Sequence, residues 1–241
     1  SSYINVCNPS VLNISGNITV CCWCKFTTSQ INTMLVTRWG TVVSYFLGIS
    51  YLSANKLFFS IRVSGVSKVA SSANTYNDNN WYFVAGEFDG SNVLLKIFNT
   101  AGTLLEGITG DATSGPISTP TQEVDIGSYG DAIHSGKFIG TIAEAKVFTS
   151  ALTTTQLEIV MRRGNCGILP VFDMPLFGVQ SPEPDWSGNN NHGTLTGTSI
   201  ADHPPGISIW NKPRIVRKTT SSFTAKMRRT LGQRVGSRSG G

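Results

Sequence analysis

Residues 81–99, WYFVAGEFDGSNVLLKIFN, decide the fold. Two apolar runs rich in β-branched and aromatic residues flank Asp89-Gly90-Ser91, and an Asp-Gly step between such runs signals a β-hairpin. Side chains alternate between the two faces of a strand, so Tyr82, Val84 and Phe88 share one face while Glu87 and Asp89 leave toward the other. On the second arm Val93, Leu95 and Ile97 share a face and Lys96 points the opposite way. One apolar face and one mixed face suit an antiparallel sheet half covered by a second sheet. The stretch holds no nucleophile–base pair and no cluster of metal ligands, so it reads as scaffold.

Working outward, residues 17–26, NITVCCWCKF, are apolar on both faces, as a strand inside a sandwich must be. Met34–Trp39 and Tyr45–Leu52 read as strands separated by Gly40-Thr41. Asn55-Lys56 then turns the chain into Leu57, Phe59, Ile61 and Val63 on one face, with Ser60 and Arg62 on the other. The Asn-rich patch 71–80 is loop, and the Gly/Pro/Ser/Thr-rich stretch Thr109–Thr121 reads as a long surface connection. Glu123–Ser128 and Lys137–Phe148 follow as strands. Thr153 and Gln156 form a capping box that opens a short helix running to about Arg163 and stopped by Gly164. Closely spaced strands with turn signals between them predict an all-β, antiparallel sandwich or jelly roll with one short helix.

At 241 residues, 40% hydrophobic and 14% charged, the chain can bury a sizeable core without staples. No run approaches the roughly 18 apolar residues of a membrane span, and no membrane partner is expected. Ser1–Asn5 lacks a basic region followed by an apolar segment, so no export signal is expected in the chain as it stands. The five cysteines, Cys7, Cys21, Cys22, Cys24 and Cys166, are odd in number and crowded as CCWC, which suits neither a disulfide framework nor zinc-ligand spacing. They read as buried free thiols, a habit of reducing compartments. The net charge of +5 hides a division. Nine of the 19 basic residues and none of the 14 acidic ones lie from Lys212 onward, so the body is mildly acidic and the tail strongly basic.

With these elements in order, the chain resembles the laminin-G-like, concanavalin A-like jelly-roll family. The hairpin 81–99 looks like the family's tryptophan-led strand, Asp-Gly turn and following strand. Val124-Asp125-Ile126-Gly127, the run Phe138–Phe148 and Ala151-Leu152-Thr153 resemble its late strands and helix start. The segment Asp185–Gly197, DWSGNNNHGTLTG, is similar to one that commonly opens such domains, yet here it follows the helix. If the first and last strands are neighbours, it can take its usual place from the other end of the chain. Residues 1–206 are therefore expected to form one domain, with 165–206 a permuted edge segment; the alternative is a truncated second copy beginning there.

The resemblance implies carbohydrate, glycan or protein binding, in some members with calcium. Ala143 stands where an Asp is frequent, which removes one carboxylate. Asp89, Asp125, Asp131 and Asp185 could supply oxygens, but Asp residues in loops are usually turn formers, and no metal or other cofactor is expected. Some relatives are glycosidases with acids one residue apart on a strand. The nearest pairs, Glu87 with Asp89 and Glu123 with Asp125, run into turns and read as solvent-facing acids, so no catalytic residues and no enzyme activity are expected. His134, His192 and His203 are dispersed, and His192 reads as a turn hydrogen-bonder. Trp39, Tyr45, Tyr129 and Trp186 are candidates for a sugar-stacking platform, although packing is the commoner fate of such rings.

Residues 207–241 read as a basic arm carrying Lys212, Arg214, Arg217, Lys218, Lys226, Arg228, Arg229, Arg234 and Arg238. Such an arm fits an acidic surface or a neighbouring subunit; nucleic acid is the weaker expectation because the body has no reading motif. The body followed by PLFG-x-x-SPEPD-x-SGN-x-NHGT-x-TG (175–197) and Ala201-Asp202-His203 resembles proteins encoded by tailed bacteriophages. That resemblance implies a virion structural or decoration protein, assembled in the host cytoplasm. Its arm would dock on capsid or other virion proteins, or on copies of itself, and its jelly roll would face host-surface glycans. The alternative is an extracellular lectin-like carbohydrate-binding module or adhesion domain.

Overall fold

The computed structural model describes residues 2–39, 43–119, 121–178 and 181–205. Among these, in chain order, come β1 (Tyr3–Asn5), β2 (Ile18–Lys25), β3 (Thr33–Trp39), β4 (Val43–Ile49), β5 (Leu57–Val63), β6 (Val66–Ser71), β7 (Tyr82–Phe88), β8 (Asn92–Phe98), β9 (Leu104–Ala112), β10 (Val124–Ile126), β11 (Thr141–Phe148), α1 (Thr154–Met161), β12 (Phe172–Met174) and β13 (Thr194–Thr196). Every strand pairing within the sheets is antiparallel. One sheet has the order β13-β1-β10-β3-β4-β5-β6 and the other β12-β11-β2-β7-β8-β9. This is the expected two-layer sandwich. The one α-helix among the described residues is eight residues long, and none of their helices is long and apolar enough to cross a membrane.

The hairpin forms as its sequence reads. Phe88 pairs with Val93, and Asp89 Oδ1 accepts the amides of Ser91 and Asn92 at 2.8 and 2.7 Å. Gly90 sits at φ 93°, a left-handed value that costs glycine little. Tyr82, Val84, Phe88, Val93, Leu95 and Ile97 enter the main core, where they meet Leu57, Phe59, Ile61 and Val63 from the other sheet. The layers touch closely at Gly86: a Cβ there would lie 2.1 Å from the Phe59 ring.

The hairpin's outer face departs from expectation. It is covered by α1, whose Leu157, Val160 and Met161 pack on Cys21, Trp23, Phe83, Ala85 and Phe98. Glu87, read as solvent-facing, is fully buried, with Lys96 Nζ 2.7 Å from its carboxylate. The capping box is present: Thr153 Oγ1 accepts the Gln156 amide at 3.2 Å, and Gln156 Oε1 accepts the Thr153 amide at 2.9 Å. The helix ends at Met161 rather than Arg163, because Arg163 itself takes the left-handed turn at φ 60° while its guanidinium holds Glu144. Gly164 follows, donating its amide to Ile159 O at 2.8 Å.

Other strand bounds shift. The strand expected over 45–52 stops at Ile49, and the one expected over 137–148 begins at Thr141. The first residues of the expected 109–121 connection belong to β9, an edge strand. β1, β6, β12 and β13 lack a strong period of two and were not foreseen. β12 pairs with β11 and β13 with β1, so the first and last strands among the described residues are neighbours. The described residues, within 2–205, fall in one compact unit. The basic arm, 207–241, lies outside the described residues.

Candidate functional site

Tyr45, Leu47, Leu57, Phe59 and Ile61 point into the core, so alternation turns Phe46, Phe58 and Arg62 to the outer face of the seven-stranded sheet. Among the described residues no helix covers this face at Phe46. Instead a second aromatic cluster forms there from Met34, Val43, Phe46, Phe58 and Tyr129, with Trp39 and Val69 against it. Trp39 follows a register shift between Arg38 and Trp39, and an irregularity of this kind re-aims the next side chain. Its ring lies 4.6 Å from Tyr129 and 5.3 Å from Phe46, while Phe58 joins Phe46 at 5.0 Å and Tyr51 at 5.9 Å. Between them is an open cleft of about 400 Å³, edged by Trp39, Phe46, Tyr51, Tyr129, Arg62 and Asp131. Ligand clefts have this character, apolar rings with a few convergent polar groups.

The loop after β10 carries Tyr129 and Asp131, and its hydrogen bonds fix both. The Tyr129 hydroxyl donates to Asn32 Oδ1, and the Tyr129 amide donates to Ser135 O at 2.8 Å. Burial pushes the phenol up to about 12, with the Asp131 charge adding and the Asn32 bond opposing, so it stays a protonated donor. Asp131 accepts the Ser135 amide at 2.8 Å and the Ser135 hydroxyl at 2.5 Å. Beneath the loop, buried Asp125 accepts from Ser128 Oγ at 2.7 Å and from Asn5 Nδ2 at 3.0 Å, and lies 2.6 Å from His134 Nδ1. His134 also stacks on Tyr3 at 4.0 Å. Burial raises the Asp125 carboxyl above its ordinary value, against the lowering effect of these hydrogen bonds. This buried cluster anchors the loop that presents Tyr129.

Of the four rings expected to form a platform, the fold therefore unites Trp39 and Tyr129 and separates the others. Tyr45 is a correction: it is fully buried in the main core because its strand position faces inward. Trp186 lies elsewhere, edge-on to Phe177 at 5.4 Å. Phe46, Tyr51 and Arg62 were missed as site residues, although the alternation of Ser60 and Arg62 against the core residues of β5 already put Arg62 on the outer face.

Asp89, Asp131 and Asp185 act as turn formers; Asp185 accepts from Ser187, Asn191 and Asp173. His192 Nδ1 accepts the Asp185 amide at 3.0 Å, as its loop position suggested. Asp125 is a second correction, buried where a solvent-facing acid was expected. His134 is a third, since the fold brings it to Asp125. Glu123, Asp125 and His134 offer atoms within 4.8 Å of one another. Calcium takes roughly six to eight oxygen ligands. Here one of three donors is a ring nitrogen and the Asp125 oxygens already accept three hydrogen bonds, so these residues do not fit calcium. Glu123 and Asp125 line neither the aromatic cleft nor the second cleft, of about 230 Å³. That second cleft is the seam where residues 198–203 fold back on the sheet edge, and its buried Glu183 is taken up by the amides of Phe177 and Gly178.

Among solved structures, the chain is similar to a Bacteroides ovatus protein described as a candidate carbohydrate binding protein, at 19% identity and a TM-score of 0.63, covering 87% of this chain. The chain spans 60% of that protein's length. It is also similar to the CBM40 of a Ruminococcus gnavus IT-sialidase bound to α2,3-sialyllactose, at 18% identity and a TM-score of 0.51, covering 66% of this chain and 91% of that one. At such identities the likeness is one of fold. No curated protein matches in sequence. Residues 1–158 match the family model described as the concanavalin A-like lectin/glucanases superfamily, of the laminin G type, and the chain belongs to that family.

Proposed function

We propose that this protein is a non-enzymatic, lectin-like carbohydrate-binding module, and that the cleft beside Trp39 and Tyr129 receives a sugar ring. The observation that carries the reading is the aromatic cleft on the outer sheet face, with its phenol and loop held by hydrogen bonds. A pyranose presents apolar CH faces that stack on such rings and hydroxyls that meet the polar rim. Solved structures of the same fold described as carbohydrate-binding support it. The binding rather than hydrolytic reading is supported by the acids: Glu87 is held by Lys96 under the helix, and Glu123 and Asp125 are tied through Asn5 away from the cleft.

Virion docking rests on residues 207–241, outside the described residues, and on the resemblance carried by 175–203, whereas the lectin-like reading has the cleft and the similar solved structures behind it and is preferred. Glycan-array screening of the full chain, followed by calorimetry of the best binder, tests it. Trp39→Ala should weaken binding by about fivefold or more, since losing a ring stack removes on the order of 1–3 kcal/mol, with unchanged circular dichroism. Saturable binding untouched by Trp39→Ala, or sugar turnover lost in Glu123→Gln, would refute it.

A further inference from the structure

Which charged side chain at the cleft is left without a partner decides which sugars it suits. Two charged side chains edge it, Arg62 from β5 and Asp131 from the loop. Both carboxylate oxygens of Asp131 are already engaged, one with the Ser135 amide and the other with its hydroxyl. Arg62 differs. It is half-buried, and among the described residues its guanidinium makes neither an ion pair nor a hydrogen bond. The other described arginines with side chains this deep are held: Arg38 by Asn8 and Asn13, Arg163 by Glu144.

A guanidinium left without a protein partner at the cleft can meet a carboxylate two-pronged. Across the ladder Arg62 faces Ser67, which also edges the cleft.

We propose that the cleft selects anionic glycans, with the carboxylate of a sugar ring held by Arg62 while the ring lies against Trp39 and Tyr129. This rests on the carbohydrate-binding reading and specifies its ligand class. The carboxylate could belong to a hexuronic acid or to a sialic acid, which share the charge but differ in where the ring carries it.

Calorimetry on the full chain with matched pairs tests it: sialyllactose against lactose, and oligogalacturonate against its methyl ester. The acid of one pair should bind at least about tenfold tighter than its neutral partner, the scale of a charge-assisted hydrogen bond, and which pair shows it identifies the source. That preference should shrink as salt rises, because a half-exposed ion pair is screened. Arg62→Gln should erase the difference between acid and neutral partner, while Arg62→Lys should restore part of it. Equal affinity for acid and neutral partners, or a preference that survives Arg62→Gln, overturns the anionic selectivity but leaves the carbohydrate reading standing. Absence of binding to every sugar overturns both.

Discussion

At the scale of single residues, the side chains that matter most are those whose surroundings admit no substitute. Gly86 is one. Its missing Cβ lets the Phe59 ring of the opposite sheet approach, and a methyl group there would sit 2.1 Å from that ring. Gly86→Ala should destabilise the protein by about 3 kcal/mol, the upper part of the usual overpacking range, read as a lower urea midpoint at unchanged slope. The three cysteines of β2 show the opposite situation, in which a polar group is merely stored. All are fully buried, and burial raises their thiols, Cys24 to about 12. The crowded CCWC was legible as a buried strand from composition alone. The burial of Glu87 was not, because alternation reports the face a side chain takes and not what lies over it.

At the scale of elements, the packing of α1 on the outer face of the hairpin sheet explains the Glu87–Lys96 pair. Removing Lys96 strands a buried carboxylate. Lys96→Met should therefore cost about 3 kcal/mol at neutral pH, and the double change Glu87→Leu with Lys96→Met should recover most of it. The pH dependence follows from the direction of the shift. Burial raises the native Glu87 carboxyl, and Lys96 opposes the rise. Without Lys96 the native value climbs further above the unfolded value of about 4.3. An acid with a raised native value contributes stability that is present below its unfolded value and lost as pH rises through the native one. The deficit of Lys96→Met should thus be largest at neutral pH and shrink toward pH ~4; urea unfolding across that range checks it, and a deficit independent of pH would contradict it. The helix start was readable because a capping box is local. Its end was not, since Arg163 adopts its left-handed turn while held by Glu144 of β11.

At the scale of the whole molecule, residues 165–205 close both sheets on the side opposite the β6 and β9 edges. β12 lies beside β11 and supplies Asp173 to buried Lys146, and β13 lies beside β1. Ending the chain at Gly164 would expose two new sheet edges and leave Lys146 with Glu144 alone as its ion-pair partner. We expect the shortened protein to aggregate or to unfold at a clearly lower urea midpoint than the full chain, the behaviour of an unprotected edge. An unchanged midpoint would favour the truncated second copy considered for this segment.

The sequence by itself determined what is local. A period of two fixed which residues of β2, β5, β7 and β8 share a face, Asp89 and Gly90 fixed the turn, and Thr153 with Gln156 fixed the helix start, because each depends on neighbours within a few positions. Only the tertiary structure decided the cleft. Trp39, Phe46, Tyr51, Arg62 and Tyr129 come from separate strands and loops, and a register shift with a hydrogen-bonded loop brings them together. Their convergence depends on strand order and on which face each sheet leaves uncovered, and no pattern within a single strand encodes either.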